Sequence, residues 1–337
     1  MSRSSISARL LGGVLALSLL PTAGCAAVSA ADGTGRLVIA VSVAPLTSIV
    51  SAVVGDRGRV EGIVPEGTNS HTFEPAPSVA KLLSQADLVF LNGLGLEEPT
   101  ARLAEANRKP AAKIVEVGTA ILPADQWIFD FSFPKEDGKP NPHLWTDPTY
   151  VIRYARFIAD TLVERSPADA TYFRSNADRF IASVDRLIAA LRTDQETVPG
   201  DQRRLLTYHD AYAYFGRSFQ WTIVGAVQPR DFSDPAPRDV AALIDQIRAA
   251  RVPTIFGSEV FPSNVLAEIG RATGARYEDT LRDDDLPGSP GQPEHSWLGL
   301  MRYNLATMIR GLGGTATNVD AVPVAQTDVV DRAVYPQ

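Results

Sequence analysis

Two stretches of alternating short apolar runs and helix-like segments, set apart by one long helix-like run, constrain this chain more than any other feature. In the first stretch Arg36 to Ser42 reads as a buried strand, Pro45 to Val54 as a helix ending at Gly55, and Val60 to Val64 as a strand. Ser78 to Ser84 and Asp87 to Asn92 continue the pattern as helix and strand, and it persists to about residue 122. Short, almost wholly apolar strands of this kind suit a parallel sheet covered on both faces. After an irregular segment, 123–142, two helical runs follow at 148–164 and 167–195. In the second, Tyr172, Phe173, Phe180, Ile181, Val184, Leu187, Ile188 and Leu191 recur at helical spacing. About 28 residues of helix predict a rod roughly 42 Å long, enough to act as a rigid spine.

The alternation then resumes, with strands predicted at 205–208, 223–227 and 254–257 and helices at 209–215, 238–248, 264–273 and 298–312. The expected fold class is α/β, with two lobes of parallel β-sheet flanked by helices and joined by the long backbone helix. The expected boundaries are 36–166 for the N-terminal lobe, 167–197 for the connecting helix, 198–313 for the C-terminal lobe and 314–337 for a loosely held tail. No internal repeat is visible in the sequence itself.

The first residues read as an export signal. Arg3 and Arg9 precede the apolar run Leu10 to Leu20, too short to span a bilayer, and Thr22-Ala23-Gly24 leads into Cys25. This resembles the lipobox of bacterial lipoproteins, although Thr22 stands where leucine is usual. The expectation is a lipoprotein signal peptide over 1–24, a lipidated Cys25, and a small polar tether to residue 35, placing the protein outside the cytoplasm on the bacterial cell membrane. Cys25 is the chain's single cysteine. An intramolecular disulfide and any thiolate-rich metal site are therefore excluded. A net charge of −7 without a Lys/Arg-rich stretch excludes nucleic acid as a partner.

Histidine is scarce, with four in the chain: His71, His143, His209 and His295. The first three share a topological address. His71 follows a strand and a Gly-containing loop, His143 lies just ahead of a helix in Asn141-Pro142-His143, and His209 stands at the end of a strand. Ligands of open α/β sheets bind beyond the carboxyl ends of the strands. Imidazole is the commonest zinc ligand, and separations of about 70 residues suit a site assembled from separate loops rather than a zinc finger.

Three segments resemble successive motifs of the TroA-like metal-binding solute-binding lipoproteins of ABC transporters. They are His71-Thr72-Phe73-Glu74-Pro75, Pro142-His143-Leu144-Trp145-Thr146-Asp147-Pro148 and His209-Asp210-Ala211-Tyr212-Ala213-Tyr214-Phe215. Tyr277-Glu278-Asp279-Thr280-Leu281 is similar to the family segment that supplies an acidic ligand, and Tyr303-Asn304-Leu305 also fits. In order, the motifs cover residues 36–313. The resemblance implies a metal site of His71, His143, His209 and Asp279, two ligands from each lobe. It also implies a transported Zn2+ or Mn2+ ion, a membrane permease as partner and a monomeric receptor. Histidine at 209 is similar to the zinc-leaning members, and imidazole favours zinc over manganese. The loop 123–142, where zinc-specific members often carry a histidine-rich stretch, has no histidine.

Around these residues, Asp147 and Asp210 are candidate acceptors for imidazole N–H groups. Glu259 and His295 are possible auxiliary ligands. The acids Asp125, Asp130, Glu136 and Asp137, and the run Asp283-Asp284-Asp285, read as solvated. A zinc hydrolase is the main alternative, but the chain has neither a His-Glu-x-x-His helix nor a Gly-x-Ser-x-Gly elbow. A fourth protein ligand would also close the position that catalysis needs. A non-metal solute receptor or adhesin on the same scaffold is the other alternative. The organic-solute reading fails if the three histidines converge in the fold.

Overall fold

The computed structural model describes residues 36–228, 232, 236–259, 264–325 and 331–337; the side chains of residues 264 and 278–280 lie outside that description. Cys25, the signal peptide and the tether fall outside the described residues. Among the described residues, no helix is long and apolar enough to cross a membrane.

The strands are β1 (Leu37–Val41), β2 (Gly58–Gly62), β3 (Leu88–Leu91), β4 (Lys113–Glu116), β5 (Arg204–Thr207), β6 (Thr222–Ala226), β7 (Thr254–Ser258) and β8 (Arg276–Leu281). The helices are α1 (Ala44–Val54), α2 (Pro77–Gln85), α3 (Glu98–Asn107), α4 (Val117–Ile121), α5 (Pro148–Arg165), α6 (Ala170–Asp194), α7 (Ala213–Phe219), α8 (Pro237–Ala250), α9 (Asn264–Thr273), α10 (Trp297–Gly311) and α11 (Thr317–Asp320). They form two parallel sheets with the same strand order, β2-β1-β3-β4 and β6-β5-β7-β8. The two lobes thus repeat one topology that their sequences do not reveal.

The expected spine is α6, whose 25 residues span about 38 Å. Its first turn is a separate 3-10 segment, Pro167–Asp169, because the preceding Ser166 leaves helical geometry. Phe173, Ala177, Phe180, Val184, Leu187 and Leu191 are buried at spacings of three and four, the periodicity of one helical face. This face packs against α1, α5, α10 and α11. One hydrophobic cluster therefore runs from Ile39 and Phe90 in the first lobe through Phe180 and Leu187 to Phe256 and Leu305 in the second. The sheets share this core on one face, and each packs a smaller cluster of its own on the other, with Ala40, Val89 and Leu91 against Leu83 in the first lobe and Leu206 and Ile255 against Leu266 in the second.

Local rules fix the entry to α5. Pro148 occupies its first turn, and Asp147 caps it by accepting from Thr149 N (2.8 Å). At β8 the pairing with β7 slips: Phe256 faces Glu278 and Gly257 faces Thr280. Asp279 is the extra residue of a β-bulge, a device that redirects a strand near its end.

Three expectations change. His209 does not begin a helix: α7 starts at Ala213, and residues 208–212 form the turn between β5 and that helix. The tail is not loose where it is described, since Val334 N donates to Val60 O and Gly62 N to Val334 O, each at 2.9 Å. That bridge covers the outer edge of β2, which would otherwise present unpaired backbone groups. Nor is the acidic run solvated: Asp283 is 3% and Asp284 7% exposed, because both are packed between the lobes.

Candidate metal centre

The loop after β2, the segment leading into α5 and the turn after β5 meet at one point. The Nε2 atoms of His71 and His143 lie 3.1 Å apart, those of His71 and His209 3.3 Å, and those of His143 and His209 2.9 Å. Three nitrogens arranged tetrahedrally round an ion at a typical Zn–N distance stand about 3.3 Å from one another. The spacing therefore matches a shared ion. His143 and His209 are buried and His71 is half-buried.

Tautomers follow from the groups behind the rings. Asn141 Nδ2 donates to Asp130 Oδ2 (3.1 Å) and to the Asp210 carbonyl (2.8 Å), so Asn141 Oδ1 is the atom turned to His143. That oxygen accepts from His143 Nδ1–H at 2.8 Å and from the His143 backbone N–H at 3.1 Å. Gln228 acts alike: Nε2 donates to Phe232 O (3.2 Å), and Oε1 accepts from His209 Nδ1–H at 2.7 Å. With Nδ1 protonated, Nε2 of His143 and of His209 presents a lone pair to the common point. Lone pairs crowded this closely repel one another unless a cation lies between them.

Burial keeps the rings neutral. It lowers His71 and His143 well below the ordinary imidazole value, and the charge His209 would carry lowers both further. His209 is lowered by burial too, partly offset by Gln228 and Asp210. Behind Asn141, burial and the Asp210 charge push Asp130 up to about 9, so this pair holds a proton near neutral pH. Asp130 is thus not a solvated loop acid. Aromatic rings close the site from above. Phe232 stacks on His71 with centroids 4.1 Å apart, and Phe133 lies 5.6 Å from both His71 and His143.

The remaining candidates lie elsewhere. Asp147 caps α5 and accepts from Ser218 Oγ (2.5 Å), and Asp210 Oδ2 accepts from Ser132 N (2.9 Å). The imidazole acceptors are instead Asn141 and Gln228, neither of which is among the acceptors expected from the sequence. Asn141 is two residues from His143, and its proximity was the available signal. Glu259 Oε1 accepts three backbone N–H groups, from Asp283, Asp284 and Asp285. His295 stands edge-on to Tyr335 and 3.7 Å from Glu66, outside the triad. The side chain of Asp279 lies outside the described residues.

The chain is similar to several known proteins in sequence and fold. The sequence profile of the family described as zinc-uptake complex component A, periplasmic (ZnuA), matches residues 39–311. The manganese-binding lipoprotein MntA of Halalkalibacterium halodurans is 29% identical over 304 residues, 89% of this chain and 97% of that protein. The iron-binding protein YfeA of Yersinia pestis is 26% identical over 296 residues, 88% of this chain and 93% of that one. Among solved structures, the periplasmic zinc-binding protein TroA from Treponema pallidum superposes with a TM-score of 0.74 at 21% identity, over 82% of this chain and 99% of its own. The cadmium-bound periplasmic metal-binding protein from Candidatus Liberibacter asiaticus gives 0.72 at 25% identity, over 82% and 100%.

The class is thereby defined: a substrate-binding protein of a metal ABC transporter, not an enzyme. More narrowly, the chain belongs to the ZnuA family.

Proposed function

We propose that this protein captures a divalent transition-metal ion outside the cytoplasm and delivers it to the permease of an ABC importer, with zinc favoured and manganese next. The observation that carries the reading is the triad of Nε2 atoms within 3.3 Å of one another, backed by amides that hold two of them as acceptors. Asp279 is the fourth ligand in this reading. The bulge at that residue and its likeness to the family's acidic-ligand segment support it. Three neutral imidazoles and one carboxylate would leave one net positive charge with the ion bound. Zinc is favoured because imidazole outnumbers oxygen in the set. The histidine-free loop 123–142 and relatives named for manganese and iron weigh on the other side. Cys25 is the proposed lipid anchor, and the receptor is proposed to act as a monomer.

Metal-stripped protein titrated with Zn2+ and with Mn2+, while thermal stability is followed, tests the reading. One ion per chain should bind and stabilise, by about 2.7 kcal/mol when free metal is a hundredfold above Kd. His209→Ala should lose most of that affinity and keep its fold. An unchanged titration in the variant removes the site assignment, and no binding of either metal by the wild type removes the receptor reading.

A further inference from the structure

Glu259 stands one residue beyond β7, and its carboxylate is already engaged. Oε1 accepts from the backbone N–H groups of Asp283 (2.6 Å), Asp284 (3.0 Å) and Asp285 (3.0 Å), and Oε2 accepts from Ser258 Oγ (3.2 Å). Three consecutive amides aimed at one oxygen wrap residues 283–285 around it, a concave nest for an anion. A ligating oxygen would have to give these bonds up. Asn304 holds the loop's start from the other side, with Oδ1 accepting from Arg282 N (2.9 Å) and Nδ2 donating to Arg282 O (2.6 Å).

The wrapped loop turns its side chains onto the first lobe. Asp284 Oδ2 accepts from Ser70 Oγ (2.7 Å) and Ser70 N (3.4 Å), and both oxygens of Asp285 accept from Gly67 N (2.9 and 2.8 Å). Leu286 N donates to Glu66 Oε1 (2.8 Å). Residues 66–70 and 284–286 therefore interlock across the lobes and stop one residue short of His71. Two residues beyond His143, Trp145 Nε1 donates to the Asp283 carbonyl (2.8 Å), so the same loop also braces the second imidazole.

We propose that Glu259 is a positioning residue: by folding the 283–285 loop it locks the His71 and His143 segments of the first lobe onto the second, and so sets how long a bound ion is retained. This rests on the metal-receptor reading above. An ion held by ligands from both lobes leaves only when the lobes part. Contacts that exist only while they are together slow that step, so their loss is read in the dissociation rate.

The test is release of Zn2+ from loaded protein into excess chelator, with the Co2+ absorption spectrum as a monitor of coordination. Glu259→Ala should release Zn2+ about tenfold or more faster, in the range seen for lost supporting contacts at metal sites. Glu259→Gln keeps an Oε1 acceptor and should stay near wild type, with an unchanged Co2+ spectrum in both variants. Ser70→Ala leaves the nest intact and should accelerate release in the same direction, which keeps the proposal testable if Glu259→Ala fails to fold. Release at the wild-type rate from Glu259→Ala, or from Ser70→Ala where the former does not fold, overturns the positioning role alone. Equally fast release from Glu259→Gln and Glu259→Ala with an altered Co2+ spectrum makes Glu259 a ligand and overturns it too. No Zn2+ or Co2+ binding by the wild type overturns the receptor reading, and this inference with it.

Discussion

Replacing Asn141 by alanine isolates what the supporting amide contributes. Asn141 is fully buried and makes four hydrogen bonds: two accepted from His143, one donated to Asp130 and one donated to the Asp210 carbonyl. At a net 0.5–1.5 kcal/mol each, their sum is about 2–6 kcal/mol, and water entering the vacated volume recovers part of it. The expected loss of metal-free stability is therefore about 2–4 kcal/mol. Separately, His143 loses the group that fixes its Nδ1–H tautomer, and such losses weaken metal binding by about 10–100-fold. Denaturant titration of the stripped protein measures the first quantity, and competition with a chelator of known affinity measures the second. The two effects have different origins, so both must appear. A folded Asn141→Ala protein with wild-type Zn2+ affinity would refute the claim that the amide sets the donor nitrogen.

Two further outcomes follow from the same structure. The site's pH response should be displaced toward acid, since burial lowers all three imidazoles below their ordinary value of about 6.5 and protons compete with metal only below that. Zn2+ affinity measured from pH 8 downward should stay level to about pH 6.5 and fall only beneath it; a steep decline already above pH 6.5 contradicts the burial assignment. In the shared core, Phe180 of α6 is 1% exposed and packs edge-on against Trp297. Phe180→Ala should cost about 3–5 kcal/mol in denaturant titration. It should produce one cooperative transition, whereas separate transitions for the two lobes would show that the core is not continuous.

Most of the architecture was legible because it rests on periodicity. The short apolar-centred stretches at 37–41, 88–91, 204–207 and 254–258 read as covered strands from their length and their alternation with helices, and the spacing from Phe173 to Leu191 reads as a buried helix face. The histidines were legible because scarcity and position agreed. What stayed hidden depends on partners distant in sequence. Asp284 reads as a surface acid until Ser70, over 200 residues away, is placed against it. Asp130 reads as a loop acid until Asp210 arrives beside it. Asp210 itself adjoins His209, which made it the natural guess for an imidazole acceptor. The fold turns its carboxylate to Ser132 N and gives the ring to Gln228. Adjacency in sequence carried no information about side-chain direction within a tight turn.

The choice of amides over carboxylates behind the rings has a chemical consequence. A buried carboxylate on Nδ1 raises the basicity of its imidazole and favours a proton on Nε2 whenever no metal is present. Here an acid pair lies close by, but Asn141 stands between it and His143, and the pair keeps a proton of its own. Gln228 gives His209 a neutral acceptor as well. The metal-free triad is thus neutral at physiological pH, so an arriving cation meets lone pairs rather than protons it must first displace. Metal capture through these three residues releases no protons near neutrality. The same neutrality limits how strongly the rings hold the ion, because neither His143 nor His209 has a carboxylate bonded to its Nδ1. Retention then depends on geometry, on keeping three nitrogens from two lobes around one point, and the interlocked segments 66–70 and 284–286 bear on that geometry directly.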